Sequence, residues 1–240
     1  MPDRSVVSGR SALSELTTVE VEAVAADRTL LVPVGSTEQH GPHLPLDTDT
    51  RIAGALARGA AGRLGDRVLV APVVAYGASG EHAEFVGTLS IGTVALTSVL
   101  VELGRSADDF ARVVFVNGHG GNADALRAAV ETLRAESRNV HAWSWSLPGA
   151  DAHAGRTETS LLLAIDPDVV QLDVAEPGHT GPLAELLGDL RARGVWAVSS
   201  NGVLGDPTGA TAREGEALLA GLVDDLVAAL RGFGAAGLSS

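Results

Sequence analysis

The chain contains no cysteine and no lysine. Without cysteine it has no disulfide framework, no thiolate metal site and no thiol nucleophile. All 17 basic residues are arginine, so Schiff-base and Ser-Lys mechanisms are excluded by inventory. Positive charge is scarce overall: the net charge is -13 at pH 7, which argues against a nucleic-acid partner, whose phosphates demand a basic face. No apolar run reaches about 18 residues, and Met1 to Leu16 lacks the charged-then-apolar profile of a secretory signal. A cytoplasmic protein without a membrane partner is expected. Several reactive motifs are missing as well. There is no H-E-x-x-H helix and no G-x-x-x-x-G-K-[ST] loop, and Gly77-Ala78-Ser79-Gly80 runs into Glu81 where a nucleophile elbow needs glycine.

What is present is a chain of 240 residues, 45% hydrophobic, long enough to bury a large core as a single domain. Helical periodicity marks Ser11–Ala26, Asp49–Leu64, Thr93–Phe110, Asn122–Ser137, Glu158–Ile165, Leu183–Arg193 and Thr211–Arg231. Apolar runs mark strands at Thr29–Val34, Arg67–Val74, Arg112–Val116 and Val140–Trp145. Ser146 to Arg156 reads as a loose stretch, and the glycine-rich tail from Gly232 as frayed. Strand and helix alternate, which predicts an α/β fold with a parallel sheet covered by helices on both faces.

The first strand runs directly into Gly35-Ser36-Thr37-Glu38-Gln39-His40-Gly41-Pro42-His43-Leu44-Pro45-Leu46-Asp47-Thr48-Asp49. Glu38, His40 and Asp49 are interleaved with glycine and proline, which fix loop shape, where a solvated loop would scatter charges among polar residues. In extended chain Glu38 and His40 point the same way and converge on one ion, while Gln39 faces elsewhere. Carboxylate oxygen with imidazole nitrogen suits Zn, Fe or Mn better than Ca or Mg. His43, flanked by Pro42 and Pro45, reads as a loop-shaping residue, and His141 and His179 as structural or exposed, with nothing nearby to recruit them.

A second strand end carries Asn117-Gly118-His119-Gly120-Gly121-Asn122. In open parallel sheets ligands gather beyond the carboxyl ends of strands, so His119 is expected at the same edge as Glu38 and His40. The same loop matches a relaxed dinucleotide pattern, but Val140–Trp145 ends without the acidic residue that would hold a ribose. A third segment, His153-Ala154-Gly155-Arg156-Thr157-Glu158-Thr159-Ser160, leaves two readings open. Glu158 complements the dipole of the helix that follows, or it joins His153 at the same edge.

Together these residues resemble the creatininase family of metal-dependent amidohydrolases. The resemblance rests on the Glu38 to Asp49 segment, Glu81-His82, Gly87-Thr88-Leu89-Ser90, Asn117 to Asn122 and Glu158-Thr159-Ser160, over roughly Val32 to Ala217. It implies a three-layer α/β/α sandwich, a homo-oligomer and one or two divalent ions (Zn, Fe or Mn). Glu38, His40, Asp49 and His119 would be ligands, with Asp49 bridging. Creatininase places a further ligating glutamate where this chain has Gly121, and Glu158 is the candidate to replace it.

The chemistry this supports is amide hydrolysis by metal-activated water. His153 is expected to donate a proton to the leaving amine, and His82 and Asn117 to orient ligands or substrate. Within the family, Leu44–Arg51, His153–Glu158 and Gly202–Pro207 are most similar to a peptidase branch. That resemblance implies release of a decarboxylated, cross-linked Val-Tyr dipeptide from the end of a small, ribosomally made precursor peptide. The alternatives are a hydrolase acting on a small cyclic amide or formamide, and a non-catalytic dinucleotide- or metal-binding module. Trp143 and Trp145, just before the 146–152 loop, could line a peptide or aryl pocket.

Overall fold

Four apolar segments pair into one sheet in the computed structural model, which describes residues 7–235. They are β1 (Thr29–Val34), β2 (Val68–Val70), β3 (Arg112–Asn117) and β4 (Val140–Ser144), arranged β2-β1-β3-β4 with every neighbouring pair parallel. Between them run α1 (Thr18–Glu22), α2 (Thr48–Leu64), α3 (Gly92–Ser106) and α4 (Ala123–Ala135), followed by α5 (Arg156–Ile165), α6 (Leu183–Arg193) and α7 (Ala212–Ala235).

Alternation along each strand divides the core into two halves. Leu31, Val68, Val70, Val114, Val116 and Trp143 face the layer of α2, α5 and α7, whose Ile52, Leu56, Leu161 and Leu226 fill the space. Leu30, Val32, Val34, Leu69, Val113 and Phe115 face α3 and α4, packing on Leu96, Leu100, Leu126 and Leu133. The result is the three-layer α/β/α sandwich around a parallel sheet that the sequence predicts. Among the described residues, no helix is long and apolar enough to cross a membrane.

The strand order places the functional edge. From β1 the chain steps to one side to make β2, then crosses back to build β3 and β4 on the other side, so its winding reverses between β1 and β3. A crevice opens at the carboxyl ends of strands that diverge in this way. Val34 pairs with Asn117, so β1 and β3 end side by side there and release their ligand-bearing loops together.

Three predicted elements differ. The helix expected over Ser11–Ala26 is broken into a 3-10 turn at Leu13–Glu15, α1, and another 3-10 turn at Ala25–Asp27. Thr17 and Glu20 form a capping box that starts a new helix at Thr18, and Ser11 is drawn to the sheet, its carbonyl accepting the Val70 N–H at 2.7 Å. The strand expected over Arg67–Val74 stops at Val70 because Pro72 has no N–H to give. Ala71 and Val74 still donate to Leu31 and Pro33 of β1, at 2.8 and 2.9 Å. Finally, α7 continues through Gly232 to Ala235 where fraying was expected; the rest of that tail lies outside the described residues.

Candidate metal centre

Two glycines allow the centre to form. A β-carbon on Gly35 would lie 2.5 Å from the Thr50 Cα, and one on Gly118 would lie 2.5 Å from the Asp49 carbonyl oxygen. The first turn of α2 therefore seats against the ends of β1 and β3, which brings Asp49 between the two ligand loops. Gly118→Ala should cost about 1–3 kcal/mol of stability through overpacking and should lower metal content with it. Denaturant unfolding and metal analysis of the same preparation check both.

Asp49 is 2% exposed and lies in the first turn of α2, where backbone N–H groups favour an anion. Its Oδ2 accepts the Ser36 hydroxyl at 2.8 Å and faces His119 Nδ1 at 3.1 Å, while its Oδ1 lies 3.3 Å from His40 Nε2. His40 is aimed by its own loop: its Nδ1 lies 3.1 Å from the Glu38 carbonyl oxygen, so that nitrogen carries the proton and Nε2 turns inward. Glu158 approaches from α5, with Oε2 3.9 Å from His40 Nε2. The same oxygen accepts the Ala154 N–H at 2.6 Å, so Glu158 serves the helix start and the shared edge at once.

Glu38 is fully buried, and neither carboxylate oxygen accepts a well-formed hydrogen bond. Imidazole nitrogens stand close but misaligned: His119 Nε2 at 3.2 Å, His82 Nε2 at 3.4 Å and His153 Nδ1 at 3.9 Å. Among the described residues, three groups have donor atoms near enough to share an ion: Glu38, His40 and Asp49; His40, His153 and Glu158; and Glu38, His82 and His153. His119 joins none of these trios, because its two ring nitrogens face different carboxylates, Glu38 and Asp49.

His153 is held by an antiparallel bridge to Leu204. Its Nε2 lies 2.9 Å from the Gln39 carbonyl oxygen, which leaves Nδ1 turned toward Glu38. Gln39 was expected to face away. Its amide nitrogen instead lies 2.8 Å from His82 Nδ1 and 3.1 Å from His153 Nε2, and donates to the Gly202 carbonyl at 3.0 Å. The chain leaves strand geometry here: Gly41 has a φ of +67° and His40 bridges to Leu44, so simple alternation no longer holds. Nothing in the residue pattern flagged Gln39 as the brace between two histidines.

Asn117 supports the centre from outside. Its amide donates to the His119 carbonyl at 2.7 Å, and its Oδ1 accepts from the Asn122 side chain at 3.1 Å, which sets the turn that presents His119. His43 is buried with Nε2 2.9 Å from the Thr159 hydroxyl, in keeping with a loop-shaping role. His141 has neighbours after all: Arg134 donates to its Nδ1 at 2.8 Å and Phe233 stacks on its ring. His179 accepts the Gly181 N–H. Of the two tryptophans expected near a substrate pocket, Trp143 packs in the core and donates to Asp225 at 3.0 Å, and Trp145 lies beside the His119 loop, its indole donating to the Gly118 carbonyl at 3.3 Å.

The electrostatics show a centre overfull of ionisable groups. Burial pushes Glu38 and Glu158 up to about 7 despite the imidazoles nearby. Burial pushes His82 down to about 3 and His153 well below its ordinary value. Burial opposes charge on His40 and His119 too, but Asp49 overrides it for His40, raising it to about 9, and Glu38 with Asp49 does so for His119, raising it to about 10. Burial would raise Asp49; His40 and His119 hold it well below the usual carboxylate range. With no lysine or arginine among them, the three buried carboxyls are balanced only by protonated imidazoles, and the Glu38 oxygens, left without a well-formed hydrogen bond, fit a cation in place of those protons.

The sequence profile of the family described as "Creatininase: Creatinine amidohydrolase" matches residues 14–230. Over 200 residues the chain is 60% identical to the mycofactocin precursor peptide peptidase of Mycolicibacterium smegmatis, covering 81% of each chain. Among solved structures, a manganese form of creatininase superposes with a TM-score of 0.77 at 28% identity, covering 92% of this chain and 98% of that one. A mutant creatininase of Zn-Zn type gives 0.76 at 28% identity, over 92% of this chain and 98% of its own.

Proposed function

The chain belongs to the creatininase family, and from that premise we propose that it is a metal-dependent peptidase of mycofactocin maturation. It would release the modified C-terminal Val-Tyr dipeptide from the precursor peptide during biosynthesis of a redox cofactor. The observation that carries this reading is 60% identity, over 81% of both chains, to a peptidase named for that precursor. The buried centre at the β1–β3 crevice supplies the chemistry such a reaction needs.

In this proposal Glu38, His40, Asp49, His119 and Glu158 would hold one or two divalent ions. The donor set suits zinc, iron or manganese. When bound, such ions acidify water and polarise the scissile carbonyl. His153, whose unprotonated Nδ1 faces the centre, would take a proton from the attacking water and pass it to the leaving amine. Gln39 keeps the His153 and His82 rings in register, and Asn117 fixes the backbone that carries His119. A single catalytic domain working as a homo-oligomer completes the proposal; Val94, Val99 and Leu103, exposed along α3, support the oligomer.

Metal-loaded protein incubated with the modified precursor should release the C-terminal dipeptide, read by mass spectrometry. Turnover of a small cyclic amide or a formamide, with the precursor left intact, would overturn the peptidase reading.

A further inference from the structure

A cavity of about 410 Å³ opens beside the candidate centre, and Gln39 forms part of its wall. That residue is the link: its amide touches both His82 and His153, so an occupant of the cavity lies one side chain away from the ionisable cluster. The volume falls in the range of small-ligand sites.

The cavity wall sets large apolar groups that remain open to solvent beside the polar Gln39, Glu176, Ser200 and Asn201. Trp196 is 50% exposed, Val86 100% and Leu46 39%, although all three border the same hollow. Phe85 meets Trp196 with ring centroids 5.1 Å apart at 59°, a tilted geometry in which the indole stays half exposed. The pair is not a loose surface accident. Val195 donates its N–H to the Glu81 carbonyl at 2.8 Å, which ties the Trp196 turn to the turn carrying His82, and a small apolar cluster of Leu186, Val195 and Leu204 backs Phe85. Exposed apolar side chains gathered around one cavity mark a binding site.

We propose that this cavity is the specificity pocket of the peptidase, receiving the aromatic side chain of the released dipeptide, one residue beyond the scissile bond, with Trp196 and Phe85 as its determinants. The tilted aromatic pair selects a flat ring, the polar Glu176, Ser200 and Asn201 of the same wall suit a phenol hydroxyl, and the Gln39 wall sets the distance from that ring to the reacting amide. The proposal rests on the peptidase reading given above, and its test separates binding from cleavage.

The test uses the metal-loaded protein and two pentapeptide amides that end in tyrosine or in alanine. By calorimetry the tyrosine peptide should bind at least about tenfold more tightly. Trp196→Ala should erase that preference while metal content stays at the parental level. Val86→Asp, at a fully exposed position, should weaken the tyrosine peptide in the same way without endangering the fold. Equal binding of both peptides to the parent protein, or an undiminished preference in both variants, overturns the pocket. Trp196-dependent binding of the tyrosine peptide by a protein that leaves the precursor intact sinks the peptidase reading and supports the pocket.

Discussion

Asp49→Ala should empty the protein of metal and lower turnover of the precursor by more than about a hundredfold, beyond the loss typical of residues that merely support a ligand. Asp49 touches three partners that no other carboxylate reaches together: the Ser36 hydroxyl, His40 Nε2 and His119 Nδ1. Removing it unties the loop after β1 from the loop after β3. Asp49→Asn separates charge from shape. The amide keeps the Ser36 contact in reach but offers a cation one neutral oxygen, so metal content should fall nearly as far while the fold holds. Metal analysis with turnover measured on each purified variant decides it; full activity in the alanine variant would end the hydrolase reading.

Stripping metal with a chelator should lower the melting temperature by roughly 5–16 °C and abolish turnover, both recovering when zinc or manganese is returned. The size follows from linkage: an ion at a hundred to a thousand times its Kd stabilises by about 2.7–4.1 kcal/mol, and each kcal/mol is worth about 2–4 °C in a chain of this length. The physical source is the crowding of Glu38, Asp49 and Glu158 in one buried volume. In the cation-free protein His40 and His119 hold protons up to about 9 and 10. Loading must displace those protons, so affinity should weaken as pH falls. Differential scanning calorimetry with and without chelator, repeated across pH, checks the shift and its sign. An unchanged melting temperature would show that the cluster holds no stabilising ion.

Much of the fold was legible because the helices that cover a parallel sheet need periodic faces and its strands need unbroken apolar runs. Thr29–Val34 and Leu183–Arg193 match their predicted bounds, and α2 differs by one residue. The misreadings came where a local bond outweighed the pattern, as when the Thr17–Glu20 box cut a helix short or Pro72 ended a strand. In the site, the ligand types near Glu38 and His119 stood out because few other chemistries need carboxylate, imidazole and glycine at a strand end. Gln39 and Trp196 did not stand out, since an amide among ligands and a lone indole in a loop carry no periodic or spacing signal.

From the sequence by itself follow the layered α/β architecture, the absence of thiol and lysine chemistry, and the donor atoms available for a cation, because composition and periodicity depend only on neighbours along the chain. Tertiary structure alone decided which of those donors converge. The reversal of winding between β1 and β3 and the bare Cα atoms of Gly35 and Gly118 bring Asp49 to Glu38, His40 and His119. It also turned Gln39 inward and set Trp196 beside Phe85. The reason is physical: convergence depends on close approach between segments far apart in the chain, and no local preference encodes a distance across the fold.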